Sequence, residues 1–218
     1  MWKYGPFVEF LEDLLECSDV HEVLLFDNAR DRRPESTVFG HSKLKIFEYG
    51  VNTGVNKPWN LGVEKAQCSK VLILNDDVIF DFRIFSKVRP YLNGQCGVVG
   101  ICPGVADFKQ PPFTSGLIKI IPWNGQHTYG FGCMMFVHKD WWAPIPDGLF
   151  IYYGDNWIFD TCLIRGQTNY IITDALFHTP FATSTKELTD VNEIHKKEQP
   201  IYNRSITEFR LKTQLNQR

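Results

Sequence analysis

Four stretches of this sequence combine residue types that do chemistry. The sharpest is Leu74-Asn75-Asp76-Asp77-Val78, where an amide and two carboxylates follow the aliphatic run Val71 to Leu74. Apolar burial does not account for them, because unpaired charges at the end of a core strand are costly or titrate away. A hard divalent cation resolves the conflict, since Mg²⁺ and Mn²⁺ take oxygen ligands and bridge readily to a diphosphate. The alternative is that Asp76 and Asp77 cap a following helix and face water.

The second stretch runs from Asn52 to Gly62, with Asn52, Gly54, Asn56, Lys57, Pro58, Asn60 and Gly62 in order. Its asparagines and glycines allow tight turns and place amides where a ribose or diphosphate could bind. Lys57 could offset phosphate charge, although a polar loop feeding a helix has the same composition. In the third stretch, Phe150 to Asp160, Asp155 follows an aromatic run and opens a helix. It is either an N-cap or a general base toward a hydroxyl. The fourth is His178, in Ala175-Leu176-Phe177-His178-Thr179-Pro180, which a structural role would also explain.

The elements that must position these residues alternate between strands and helices. Phe7, Phe10, Leu11, Leu14 and Leu15 recur at helical spacing, which predicts an amphipathic helix over about 6–17. Strands are expected at 22–26, 43–49, 71–74, 97–101, 116–121, 131–137 and 169–173, and further helices at 58–68, 82–92 and 155–165. Such alternation implies an α/β sandwich with a mostly parallel central sheet. In these sheets ligands bind at the carboxyl ends of strands, the places occupied by Asp27 and Asn28, by Asn52 to Asn60, and by Asn75 to Asp77. A single domain over 1–185 is expected, followed by a charged tail over 186–218. The tail reads as one or two helices packed on the sheet or leading toward a further domain of a longer chain.

With 218 residues, 44% hydrophobic and 22% charged, the chain has the balance of a globular protein. A net charge of −2 gives no basis for binding nucleic acid or anionic lipid through charge alone. No run approaches the ~20 apolar residues of a membrane span, and the first residues lack a signal-peptide pattern. The cysteines at 17, 68, 96, 102, 133 and 162 include no Cys-x-x-Cys pair. They read as free thiols of a cytoplasmic protein rather than disulfides or zinc ligands.

Taken in order, the pieces resemble the family 2 glycosyltransferases and their relatives with the nucleotide-diphospho-sugar transferase (GT-A) fold. Asp27-Asn28-Ala29 after an apolar strand is similar to the family's nucleoside-contacting acid. Asn52-x-Gly54 and Asn60-x-Gly62 match its paired Asn-x-Gly spacing, and Leu74-Asn75-Asp76-Asp77 its Asp-x-Asp type motif, with Asn75 in place of the first carboxylate. Gly130-Phe131-Gly132-Cys133 resembles the acceptor-side glycine strand, Tyr153 to Trp157 the segment of the catalytic acid pair, and His178 a late metal ligand. The compact size is also similar to that of the small glycosyltransferase domain encoded by chlorella viruses.

The resemblance covers about residues 7 to 180 and implies a metal-dependent hexosyltransferase. Its donor would be a nucleotide sugar, UDP-linked, and its acceptor a glycan hydroxyl. Asp77 would hold Mn²⁺ or Mg²⁺ with His178; Asp27, Asn28, Asn52, Asn56, Lys57, Asn60 and Asp76 would contact the donor; Asp155 would be the catalytic base. The 104–128 loop and the tail would meet the acceptor. Two departures stand out. The acid pair is Asp155-Asn156, with one carboxylate, so a retaining route stays open beside inversion. The family's first buried strand has no counterpart ahead of the first helix, and Trp2 or Tyr4 would stand in for its contacts. The alternatives are a sugar nucleotidyltransferase, against which stands the lack of a Gly-rich basic loop, and a carbohydrate-binding module using the tryptophans.

Overall fold

The computed structural model of the chain describes residues 5–28, 33–101, 118–127, 130–173, 177–179 and 190–216. Trp2, Tyr4, the 185/186 boundary and most of the 104–128 loop lie outside them.

Phe7–Glu16 form α1, whose apolar stripe of Phe7, Phe10, Leu11, Leu14 and Leu15 is buried. β1 (Val23–Asp27) and β2 (Leu44–Glu48) follow and pair in parallel, Val23 opposite Leu44. α2 spans Asn56–Lys65, starting two residues earlier than the periodicity predicts. Pro58 sits in its first turn, where a missing N–H leaves no helical bond unmade. β3 (Lys70–Leu74) carries the aliphatic run, and the short β4 (Ile79–Phe80) lies just beyond the acidic pair. α3 is only Arg83–Val88, because Pro90 has no N–H with which to continue the helical ladder.

β5 (Cys96–Ile101) is buried at every position, as expected of a strand covered on both faces. β6 (Lys119–Pro122) and β7 (Met134–His138) follow, then α4 (Gly154–Ile164), β8 (Thr168–Thr173) and the two-residue β9 (Phe177–His178). β7 starts three residues later than its apolar run, since Gly130 takes φ 93° and Phe131–Cys133 turn as a 3-10 helix. α5 (Val191–Asn216) is a single helix of 26 residues with Pro200 inside it.

The α/β class is as the sequence implies, with one refinement in the sheet. Five strands line up as β3-β7-β5-β8-β6. β7 is antiparallel to both β3 and β5, β5 and β8 are parallel, and β6 is antiparallel to β8. Hence β3, β5 and β8 share one direction, and β7 and β6 run against them. The sheet is mixed rather than mostly parallel in its neighbour pairs. β1 and β2 form a separate two-stranded sheet.

Two clusters of buried side chains cover the faces. Phe10, Leu14, Phe80, Ile84, Val88 and Phe136 belong to the α1/α3 side. Val63, Phe131, Trp157, Phe159 and Tyr202 belong to the α2/α4 side, where Ile201, Ile206 and Phe209 of α5 also pack. Among the described residues, no helix is long and apolar enough to cross a membrane.

Candidate active site

Asn28, Asn52, Asp76 and Asp77 are among the residues that line an open cavity of about 1230 Å³. Each stands at or just beyond the carboxyl end of β1, β2 or β3, as α/β architecture requires. Asn28 organises the loop that follows β2. Its Nδ2 donates to the Gly54 carbonyl at 2.7 Å, and its Oδ1 accepts from the Thr53 hydroxyl at 2.7 Å. Gly54 N–H donates to Asn52 Oδ1 at 2.9 Å, and Val55 N–H to the Phe150 carbonyl at 3.0 Å. Gly54 has φ 75°, and a Cβ there would lie 2.1 Å from the Phe150 oxygen. Only glycine fits.

The other expected donor contacts sit differently. Asn56 is buried, and its Nδ2 donates to the Leu149 and Tyr152 carbonyls, both at 3.1 Å. Asn60 donates to the Ile145 carbonyl at 2.9 Å and accepts from Ile145 N–H at 2.8 Å and Trp142 Nε1 at 3.1 Å. Both amides hold the fold around the site rather than lining the cavity. Lys57 is exposed on the first turn of α2. Asp27 is buried at the end of β1, where its carbonyl accepts from Tyr49 N–H at 3.1 Å.

A turn joins the acidic pair to Asp155. Asn75 N–H donates to the Cys133 carbonyl at 3.0 Å, and Gly132 N–H donates to Asp155 Oδ2 at 3.1 Å. Asp155 Oδ1 accepts from Asn156 N–H at 2.9 Å. Residues 131–133 therefore have β3's acidic end on one side and α4's first turn on the other. Burial pushes the Cys133 thiol up to about 12, and the charges of Asp77 and Asp155 add to the shift. The thiol thus feels both carboxylates. A Cβ on Gly132 would come within 2.8 Å of the Trp59 ring and 3.5 Å of Asp155 Oδ2, which explains a glycine there.

Burial acts on both acids. Burial raises the Asp155 carboxyl above its ordinary range, against the lowering effect of its two backbone donors and of His127. Burial also raises Asp76, to about 6, and the neighbouring Asp77 charge adds to it. Two adjacent carboxylates that repel each other at a strand end fit a hard divalent ion, which would relieve the repulsion. His178 lies opposite Ile79 in the β4/β9 pair, two positions beyond Asp77. Among the described residues, no group of three His, Cys, Asp or Glu side chains forms a ready-made metal cage. A metal here would therefore take further oxygens from a ligand.

Several residues of this region are not legible in the sequence. Tyr153 takes φ 60°, a left-handed backbone costly for a non-glycine residue, immediately before Gly154 and Asp155. Its hydroxyl lies 2.8 Å from His195 Nε2, and its ring stacks on Tyr202 at 5.0 Å. His127 Nε2 is 3.0 Å from Asp160 Oδ1, and the Tyr202 hydroxyl donates to Asp160 Oδ2. Glu198 is buried and accepts from Tyr152 N–H at 2.8 Å and from Ile151 N–H at 3.3 Å. α5 thus holds the loop leading to Asp155. A charged helix gives no sign in sequence of which acid turns inward.

No family model matches the sequence, and no curated protein matches it. Among solved structures, the fold is similar to the inositol-1-phosphate CTP transferase from T. maritima. The TM-score is 0.36 at 13% identity, covering 72% of this chain and 68% of that chain. The chain is an α/β protein whose cavity is lined in part by the acidic pair.

Proposed function

We propose that the protein is a glycosyltransferase that moves a hexose or deoxyhexose from a nucleoside-diphosphate donor, UDP-linked, to a glycan hydroxyl. One observation carries this reading. The 131–133 turn has the Asn75–Asp77 end of β3 on one side and the Asp155 carboxylate on the other, beside a cavity lined in part by Asn28 and Asn52. Sugar transfer needs a diphosphate site and a base close to each other, and this turn links the two candidates.

Asp77, with His178, would hold Mn²⁺ or Mg²⁺, which when bound neutralises charge on a departing diphosphate. Asp27, Asn28, Asn52 and Asp76 take the nucleoside and diphosphate side. Asp155 accepts the proton of the acceptor hydroxyl as its oxygen attacks the anomeric carbon. The bond from that carbon to the diphosphate oxygen breaks, the nucleoside diphosphate leaves, and configuration inverts. Its raised carboxyl suits this role, because a stronger base takes the proton more readily.

The test separates binding from chemistry. In Asp155→Asn, transfer to glycan acceptors should fall by at least about 100-fold, while calorimetric donor affinity stays nearly unchanged. Equal loss of both would remove Asp155 from the base role. The anomeric proton of the product, read by NMR, should show inversion relative to the donor.

A further inference from the structure

α4 carries two carboxylates, Asp155 and Asp160, and the proposed transfer uses only the first. Three separate segments meet on the second. His127, from the loop after β6, donates through Nε2 to Asp160 Oδ1 at 3.0 Å. The Tyr202 hydroxyl of α5 donates to Oδ2. With side chains 30% and 23% exposed, His127 and Asp160 form a pair near the surface, and such pairs add little to stability. The loop that delivers the histidine is nevertheless closely built. Trp123 N–H donates to the Asn169 carbonyl at 2.8 Å and Trp123 Nε1 to the Gln126 carbonyl at 2.8 Å. Gln126 N–H donates to Asn124 Oδ1 at 3.0 Å across Gly125, which takes φ 88°.

The imidazole is held on several sides. The Trp123 ring lies 5.1 Å from it, and Phe131 meets it edge-on at 6.4 Å. Phe131 stacks on Phe159 of α4 at 4.4 Å and is followed directly by Gly132, whose N–H holds the Asp155 carboxylate. The ring therefore stands one residue away from the group that orients the base. Because Asp160 accepts the Nε2 proton, Nδ1 is the nitrogen at which the ring gains and loses charge, and an imidazole does so between about pH 5 and 8. That charge reaches Asp155, where it opposes the effect of burial. The Tyr202 hydroxyl in turn feels both Asp160 and Asp155. Titratable groups approach from three sides: the two carboxylates from α4, the Cys133 thiol from the 131–133 turn, and Tyr202 from α5, with Tyr153 stacked on it and Arg210 acting on it. Burial holds the Cys133 thiol and the Tyr202 hydroxyl protonated, and Arg210 stays charged. His127 and the two carboxylates are left to exchange protons below neutral pH.

We propose that Asp160 is a positioning residue, which holds the His127 imidazole beside Asp155 so that the protonated ring keeps the base ionised as the pH falls. Tyr202 steadies the carboxylate from its other oxygen, and α5 thereby takes part in the arrangement. The sign follows from the charges. An imidazolium favours the ionised form of a neighbouring carboxylate, so the ring protects the base on the acid side and has little effect once it is neutral. The consequence for rate rests on Asp155 acting as the base of the proposed transfer, whereas the coupling between His127 and Asp155 does not.

The test follows the His127 ring by NMR through a pH titration of the full chain, its signal identified by its loss in His127→Gln. Coupling between two sites is reciprocal, so Asp155→Asn should lower the His127 midpoint by about half a unit or more. In an Asp160→Asn background Tyr202 keeps an acceptor while the ring loses its anchor. There the same substitution should move the midpoint by less than about half as much. An unchanged midpoint in Asp155→Asn would overturn the coupling, and equal changes in both backgrounds would overturn the role of Asp160. In transfer assays, His127→Gln should cost at least about 3-fold more on the acid limb than on the high-pH plateau. His127→Lys, which restores a positive charge, should narrow that difference. A loss equal at every pH would mean that the histidine only shapes its loop, and would overturn the proposal. Full transfer in Asp155→Asn would remove the base assignment alone, since the NMR coupling stands or falls without it.

Discussion

Asp155 sits where two opposing influences meet, burial raising its carboxyl and two backbone N–H donors lowering it. Burial prevails. A base must be ionised to act, so transfer should fall as pH drops through this raised value. The acid limb of the rate profile should lie above the ordinary Asp value of ~3.9, and a limb at or below that value would contradict the role. Gly132 offers a second probe, because a methyl there meets Trp59 and approaches Asp155 Oδ2. Gly132→Ala should push against the Trp59 ring and shift the backbone N–H that holds Asp155, lowering the transfer rate about 10-fold or more in steady-state assays, with donor binding retained. The residue types at this scale were legible: Asp76, Asp77 and Asp155 stand out against their apolar neighbours. Their partners were not, since the turn that joins β3 to α4 comes from a segment more than fifty residues along the chain from one and twenty from the other.

At the scale of elements, Glu198 shows how a distant helix positions the site. Its carboxylate accepts the N–H groups of Ile151 and Tyr152, at the entrance to Tyr153 and Asp155. Glu198→Ala would leave those donors without their partner and should cost about 2–3 kcal/mol in urea denaturation. Glu198→Gln should cost less, because one amide oxygen can still accept. Strand and helix positions followed largely from periodicity, as in α1, β1, β3 and β5. β7 was legible as a strand but not as the antiparallel insertion between β3 and β5, because the pattern of a buried strand carries no direction. The amides of Asn56 and Asn60 illustrate the same limit. Asparagines after a strand suit a ligand and a backbone clamp equally well, and only the distant carbonyls of Ile145, Leu149 and Tyr152 decide between them.

For the whole molecule, α5 is part of the core. Glu198, Tyr202, Ile206 and Phe209 recur at three- and four-residue spacing, and the last three pack with Trp157 and its neighbours. Tyr202 is buried and Ile206 and Phe209 partly so; full burial of a large apolar side chain is worth ~1.5–3 kcal/mol, so even a part of it from three residues counts against the ~5–15 kcal/mol that holds a domain together. A chain ending at residue 189 should therefore lose cooperative thermal unfolding, as followed by circular dichroism. A sharp transition within a few degrees of the full chain would show α5 to be dispensable. The measurement that bears most directly on the donor site is calorimetric titration with UDP and other nucleoside diphosphates, each with and without Mn²⁺, on the intact chain and on Asp77→Ala. The account predicts UDP binding that requires the metal and disappears in Asp77→Ala; UDP binding unaffected by metal and by that substitution would contradict it.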